Sequence, residues 1–386
     1  MSKQSLIKKL GIKYPIIQSP MAGVSTIEMS SSITNKGGLG SIPLSTINFI
    51  RQDSIRKLND IIDKYKSQLN DTQRVNIVNL NFFCHDIVSG PNTKQTENWK
   101  NLYNTTINSQ DNFEVKELIN DIEFQNGNVS FKEFEQNKDQ FQILLDYLVS
   151  INPKIISFHF GIPLKQTIEF LQKHEIMIFI TATSLAEVIK LLEYGIDGII
   201  LQGSEAGGHR GNFLSSDYQD EYLTTKALFL KTKEYFKTRS IEKIPYLVPS
   251  GGIMNTDTIN WYLNQGADAV QLGTIFLSTP ESTTSTFFNN YNPLESDTIM
   301  TNLISGKNAR CINTKFITTL TNNYYEKQEN LPGYGYSYYG YKKLKTQIDP
   351  ALEDIGFYLC GLNHFQIKQG KTTNEIMDEL IKDLKY

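Results

Sequence analysis

Along the first 277 residues, short apolar runs alternate with stretches whose apolar positions return every three or four residues. "YPIIQSPMAG" (14–23) is a run stopped by Pro20 and Gly23. "STIEMSSSITNKGG" (25–38) spaces Ile27, Met29 and Ile33 as a helix does and ends on Gly37-Gly38, a helix stop. "GLGSIPL" (38–44) and "RVNIVNLNFFC" (74–84) are further runs, the latter strongly β in composition. The rhythm resumes with "KIISFHFGIP" (154–163), "IMIFITATS" (176–184), "IDGIILQG" (196–203), "IPYLVPSGGI" (244–253) and "ADAVQLGTIFL" (267–277). Helical stretches such as "SLAEVIKLLEYG" and "NTDTINWYLNQG" intervene, closing on Gly195 and Gly266.

Eight such runs with helices between them predict a parallel sheet covered on both faces. Their number points to a (β/α)8 TIM barrel, with a doubly wound open sheet as the competitor. Residues 85–136 break the rhythm, being polar, Asn-rich and without periodicity. A loop of that length reads as an insertion or lid holding about one helix. Residues 280–386 carry no further βα alternation. The expected division is a barrel from 1–84 and 137–282, with 85–136 and 283–386 forming a smaller, mostly helical and loop substrate domain at its mouth.

Barrel active sites sit in the loops after the strands. Those loops are rich in glycine, small hydroxyl residues and amides, and nearly free of charge: Met21-Ala22-Gly23, Asn81, His159 to Pro163, Thr181 to Ser184, Gln202 to Gly211, Ser250-Gly251-Gly252 and Gln271 to Thr274. Gly-Gly and Gly-Thr after the seventh and eighth runs, each followed by a helical start, suit a phosphate held by backbone N–H groups. Amides such as Asn81 and Gln202 suit a polar heterocycle such as a flavin. "GYGYSYYG" (333–340) has no strand before it and no helix after it by pattern, which argues against a dinucleotide fingerprint. In "GIILQGSEAGGHRG" (198–211) a buried-looking strand opens into a glycine-rich loop carrying His209, a general-base candidate. His159 in "SFHFG" is its rival, as a barrel-interior residue or a substrate contact. Glu205 and Arg210 read as partners within the loop. His85 beside Cys84 lacks a third ligand at sensible spacing, so no metal site is expected.

Composition narrows the classes. The 386-residue chain has a net charge of −3 and a pI near 6.0, and its lysines are scattered, which excludes a nucleic-acid footprint. Three distant cysteines, Cys84, Cys311 and Cys360, form neither a disulfide framework nor a zinc site. "MSKQSLIKKLGIKYP" lacks the apolar run of a secretory signal, and no apolar stretch approaches the roughly 18 residues of a membrane span. The expectation is an intracellular, cytoplasmic protein that does not engage membranes.

Taken together, "PIIQSPMAGVST…NKGGLGS", "NLNFFCH", "FHFGIP", "TATS", "GIDGIILQGSEAGGHRG", "PSGGIMN" and "GADAVQLGTIFLSTPES" resemble the FMN-dependent nitronate monooxygenases, formerly 2-nitropropane dioxygenases. The likeness runs in order through residues 5–282 and continues weakly through "SGKNARCINTKF". It implies oxidation of alkyl nitronates, propionate 3-nitronate foremost, by O2 to a carbonyl compound and nitrite, a detoxification. Carried over motif by motif, it implies FMN contacts at Met21, Ala22, Gly23, Asn81, Gln202, Gly207, Gly251, Gly252, Gln271, Leu272, Gly273 and Thr274. His209 becomes the catalytic acid–base residue. Beside the resemblance, the residues themselves offer His159 as a substrate contact and the Tyr-rich run, Tyr334 within it, as lining the substrate side or only covering the barrel, in a monomer or homodimer. Ser250-Gly251-Gly252 departs from the AGG common in relatives, and "LPGYGYSYYGYKK" departs further. Sister FMN barrels that take hydride from NAD(P)H to reduce quinones or enoyl-thioesters are the alternative, and a non-catalytic flavin-binding barrel is another.

Overall fold

The computed structural model describes residues 4–107, 113–239, 241, 243–348 and 354–386. Its strands in chain order are β1 (Ile16–Gln18), β2 (Gly40–Pro43), β3 (Val78–Phe83), β4 (Ile155–His159), β5 (Met177–Ala182), β6 (Gly198–Gln202), the two-residue β7 (Gly208–His209), β8 (Tyr246–Ser250), β9 (Val270–Leu272), β10 (Thr298–Thr301) and β11 (Ala309–Ile312). Eight of them, in the order β1-β9-β8-β6-β5-β4-β3-β2, form one parallel sheet. A parallel bridge between Ile17 and Leu39 joins its two edges, so the sheet closes into a (β/α)8 barrel. Each strand matches one of the eight apolar runs.

Side chains alternate along a strand, and the inward set changes character from bottom to top of the barrel. Ile155, Phe179, Ile200, Tyr246, Val248 and Ala269 fill the lower interior with Ile17, Leu39 and Ile77. The helix Gln4–Leu10 plugs that end through Leu6 and Leu10, both fully buried. Gly198 leaves the room that Phe179 occupies: a Cβ there would lie 2.4 Å from the Phe179 ring. Farther up, the same inward positions are Asn81, Ser157, His159, Thr181, Gln202, Ser250 and Gln271. Apolar side chains thus seal the bottom and polar ones crown the top. Outward-facing side chains pack under the surrounding helices in the main core.

A second core joins the insertion to the C-terminal part. Trp99, Leu102 and Tyr103 of the helix Thr93–Thr106 pack with Ile304, Phe316, Leu320, Tyr341 and Phe357. Three features differ from the expected layout. Among its described residues the insertion carries three helices, Thr93–Thr106, Phe113–Asn120 and Phe131–Gln136. Phe131 and Phe134 of the last one belong to the main core of the barrel. The segment 283–386 is not only helix and loop: β10 and β11 pair antiparallel, and β11 pairs with β7. These strands are four residues each, too short for an alternation to register. Finally, the helix Thr373–Lys382 leaves the mouth and returns to the barrel flank. There Ile376, Met377 and Leu380 join the main core and Lys36 bonds Asp378 at 2.6 Å. Among the described residues no helix is long and apolar enough to cross a membrane.

Candidate active site

A cavity of about 540 Å³ opens at the C-terminal ends of the strands, within the range of roughly 300–1,000 Å³ common for cofactor and small-molecule sites. Of the residues expected at a cofactor, Met21, Ala22, Gly23, Asn81, Gln202, Gly207, Gly251, Gly252, Gln271, Gly273 and Thr274 all line it. Leu272 does not: its side chain is 1 % exposed and packs in the main core, and its carbonyl accepts from Ser19 N–H at 2.7 Å. Alternation along β9 explains this, since Gln271 faces in and Leu272 must then face out.

The cavity wall carries polar atoms with no protein partner. Asn81 Nδ2 donates to Ser157 Oγ at 2.9 Å, but its Oδ1 has no partner. Gln271 Oε1 accepts from Ser250 Oγ at 3.1 Å, but its Nε2 has none. Leaving such buried groups without a partner costs about 1–3 kcal/mol each, so they await a ligand with a matching donor and acceptor edge. Gly251 and Gly252 have φ of +118° and +70°, conformations costly for other residues. A Cβ on Gly251 would also lie 2.8 Å from Ala206 N. Together the amides and the glycine loops after β6, β8 and β9 fit a polar heterocycle carrying a phosphate.

Gln202 lines the same wall with its amide already engaged. Its Nε2 donates to the His209 carbonyl at 3.0 Å and its Oε1 accepts from Gly211 N–H at 2.7 Å. His159 does similar work: Nε2 lies 3.2 Å from the same carbonyl, and Nδ1 lies 3.0 Å from Thr181 Oγ1. A carbonyl only accepts, so His159 carries its proton on Nε2 and takes the Thr181 hydroxyl at Nδ1. Both residues therefore hold the backbone of His209. Burial lowers the His159 pKa to about 4, which keeps it neutral.

His209 faces the cavity from β7. Its Nε2 lies 2.9 Å from Ser305 Oγ, whose own hydroxyl donates to the Lys307 carbonyl at 2.9 Å. With that hydrogen committed, Ser305 accepts from Nε2–H, and the lone pair of the imidazole resides on Nδ1. Burial, followed by the fields of His159, Lys307 and Lys342, lowers the His209 pKa to about 3. Aromatic rings surround it: Phe160, Tyr334, Tyr338 and Phe357 lie 5.5–6.4 Å away, centroid to centroid. Phe160 holds a φ of +74°, a strained value for a bulky residue, and touches His159, His85 and Tyr334 as well. Tyr334, expected toward the substrate, is one of this packing set and does not line the cavity.

Beside His209, Arg210 is buried to 2 % and its partner Asp220 to 1 %. The guanidinium donates through Nε to Asp220 Oδ2 at 2.6 Å and through Nη2 to Oδ1 at 3.1 Å. It also reaches the carbonyls of Gln202 at 2.5 Å and Thr183 at 3.3 Å. Glu205 accepts from Thr225 N–H at 2.7 Å. Arg210 thus pairs within the long connection after β6, whereas Glu205 holds the first residue of the helix Thr225–Thr238 instead of a partner inside its loop.

Five cavity residues come from outside the strand loops: Gly127 and Asn128 of the insertion, Tyr338 and Lys342 of the helix Tyr336–Lys345, and Leu359 beyond it. Lys342 brings a cation to a wall otherwise built of neutral groups. Its Nζ lies 3.9 Å from the Tyr338 ring centroid and 3.4 Å from Asn128 Oδ1, and burial lowers its pKa to about 8. The four-residue spacing of Tyr334, Tyr338 and Lys342 is the one signal that could have found them. Among the described residues no group of three His, Cys, Asp or Glu side chains could hold a metal.

The family profile described as nitronate monooxygenase matches residues 3–383. A putative nitronate monooxygenase of Saccharomyces cerevisiae is 43 % identical over 99 % of this chain and 93 % of its own length. A probable nitronate monooxygenase of Staphylococcus haemolyticus is 30 % identical over 98 % and 96 %. Among solved structures, a nitroalkane oxidase from Streptomyces ansochromogenes superposes with a TM-score of 0.76 at 22 % identity, covering 98 % of this chain and 97 % of that one. FabK from Thermotoga maritima follows with a TM-score of 0.62 at 17 % identity, covering 98 % and 94 %. At those identities the two structures speak to the fold alone.

Proposed function

The chain belongs to the nitronate monooxygenase family and is an oxidoreductase, and from that premise we propose that it oxidises alkyl nitronates, propionate 3-nitronate foremost, with bound FMN and O2, to a carbonyl compound and nitrite. One observation carries the reading: a single cavity is lined by unpartnered amides and glycine loops together with a neutral imidazole and an ammonium. FMN, when bound, supplies the redox chemistry that amides, imidazole and ammonium lack. Asn81, Gln271 and the loops at Gly207, Gly251, Gly252, Gly273 and Thr274 would hold it.

The protein's own groups divide the remaining work. Lys342 attracts an anion, and a nitronate bearing a second, carboxylate charge gains most from it. His209 offers the Nδ1 lone pair to the α-proton of a neutral nitroalkane. A nitronate has already lost that proton, so it needs the imidazole for orientation only. The aromatic rings packed around His209 bury the imidazole and so keep it neutral.

The test is to record the visible spectrum of the purified protein, then add propionate 3-nitronate or NADH anaerobically in separate cuvettes. Bleaching of a flavin by the nitronate alone supports the reading. Bleaching by NADH alone moves the protein to the reductases, a flavin that answers neither donor to a non-catalytic barrel, and a colourless preparation refutes the cofactor.

A further inference from the structure

The loops that would form the cofactor-phosphate cradle are tied together by a piece of chain far from all of them in sequence. Residues Leu359–Asn363 cross the mouth over the ends of β6, β8 and β9. Gly361 N–H donates to Thr274 Oγ1 at 2.9 Å, Leu362 N–H to the Glu205 carbonyl at 3.0 Å, and Asn363 Nδ2 to the Gly252 carbonyl at 2.7 Å. One hydrogen bond therefore reaches each of the three loops. The approach is close: a Cβ on Gly207 would lie 2.4 Å from the Cys360 carbonyl carbon, and a Cβ on Gly361 would lie 2.5 Å from Glu205 O. Gly361 has an ordinary φ of −84°, so glycine is required there by contact and not by backbone conformation. The segment is itself anchored from behind. Cys360 N–H donates to the Arg310 carbonyl at 3.2 Å, and Ile312 N–H to the Tyr358 carbonyl at 2.8 Å, both from β11.

Loops of glycine are mobile unless something holds them, and a cradle of backbone N–H groups binds an anion well only when those groups are already aimed. The barrel supplies the glycines of Gly207, Gly251-Gly252 and Gly273, and the C-terminal chain supplies the restraint. We infer that residues 359–363 act as a strap that preorganises the phosphate cradle, with Asn363 and Gly361 as positioning residues for cofactor retention. The strap rests on the FMN reading above and adds to it a part of the chain that contributes no barrel strand.

The experiment compares FMN with riboflavin, which has the same ring and no phosphate. Dissociation constants of both are measured by flavin fluorescence on full-length wild type, Asn363→Ala and Gly361→Ala. Loss of one aimed hydrogen bond should weaken FMN roughly five- to tenfold in N363A, leave riboflavin affinity near wild type, and weaken FMN further in G361A. Hydrogen exchange at residues 203–208 and 250–253 of the FMN-free protein should quicken in N363A. Equal weakening of both flavins, or unchanged FMN affinity with unchanged exchange, overturns the strap. A wild type that binds neither flavin overturns the FMN reading and the strap with it. A wild type whose affinity depends on the phosphate but is matched by N363A overturns the strap alone. If G361A fails to fold, N363A decides the matter by itself.

Discussion

Replacing Asp220 by alanine would strand the Arg210 guanidinium. Arg210 is 2 % exposed, and two of its four hydrogen bonds go to Asp220, the other two to the carbonyls of Gln202 and Thr183. The carbonyls satisfy N–H groups and leave the charge unneutralised. Breaking a buried pair from one side typically costs about 3–5 kcal/mol, because an uncompensated charge stays in a low-dielectric site. With an unfolding entropy of about 2.1 cal/mol/K per residue, a chain of 386 residues loses about 1 °C of Tm per 0.8 kcal/mol. The expected shift for Asp220→Ala is thus a fall of about 4–6 °C, read by calorimetry or thermal fluorescence. Arg210→Met with Asp220→Leu removes both charges but leaves two carbonyls without a donor, so it should fall between the single variant and wild type. The damage should also reach activity, since Arg210 adjoins His209 and bonds the carbonyl of Gln202, which in turn holds His209. A D220A protein that melts within about 1 °C of wild type would refute the reasoning, because it would mean that the guanidinium is hydrated or pairs elsewhere.

Three further outcomes are expected. His209→Asn should lower turnover of a neutral nitroalkane by about 10²–10⁴ while sparing the preformed nitronate, and equal losses on both substrates would end the divided role. Lys342→Met should raise KM for propionate 3-nitronate and leave that of an uncharged-tail alkyl nitronate nearly unchanged; in wild type the same KM should rise as pH passes about 8, where Lys342 loses its charge. His85, His159 and His209 have pKa values lowered by burial to about 4, 4 and 3, so between those values and about 6.5 the unfolded chain binds more protons than the folded one. Stability should therefore hold above pH 6.5 and fall as pH drops toward 4, by up to about 1.4 kcal/mol per pH unit for each histidine, and urea titrations at stepped pH would read the slope.

Much of this arrangement could be read from the pattern of residues. Strand and helix periods alternate clearly through residue 277, and the polar residues ending each apolar run mark the mouth because alternation carries them inward. What stayed hidden depends on contacts between distant segments. Lys342 and Tyr338 belong to a Tyr-rich stretch that looks like a loop until its helix packs across the barrel. Gln202 and His159 line the cavity, but their second task, holding the carbonyl of His209, shows only once the chain is folded. Leu272 lay one residue off the inward register. The strand β11 is defined by its partner in the loop after β6 and β10 by β11 in turn, and nothing in their own composition announces them.

β7 gives His209 a double allegiance. It belongs to the loop after β6, but its ladder partner is β11, and the turn from β10 to β11 carries Ser305. The imidazole and the hydroxyl that fixes its proton are thus built on one small sheet. The carbonyl of the same residue, however, is held from the barrel by Gln202 and His159. His209 is thus a rivet between two distant parts of the chain: the barrel sets where its backbone stands, and the C-terminal segment sets which ring nitrogen carries the proton.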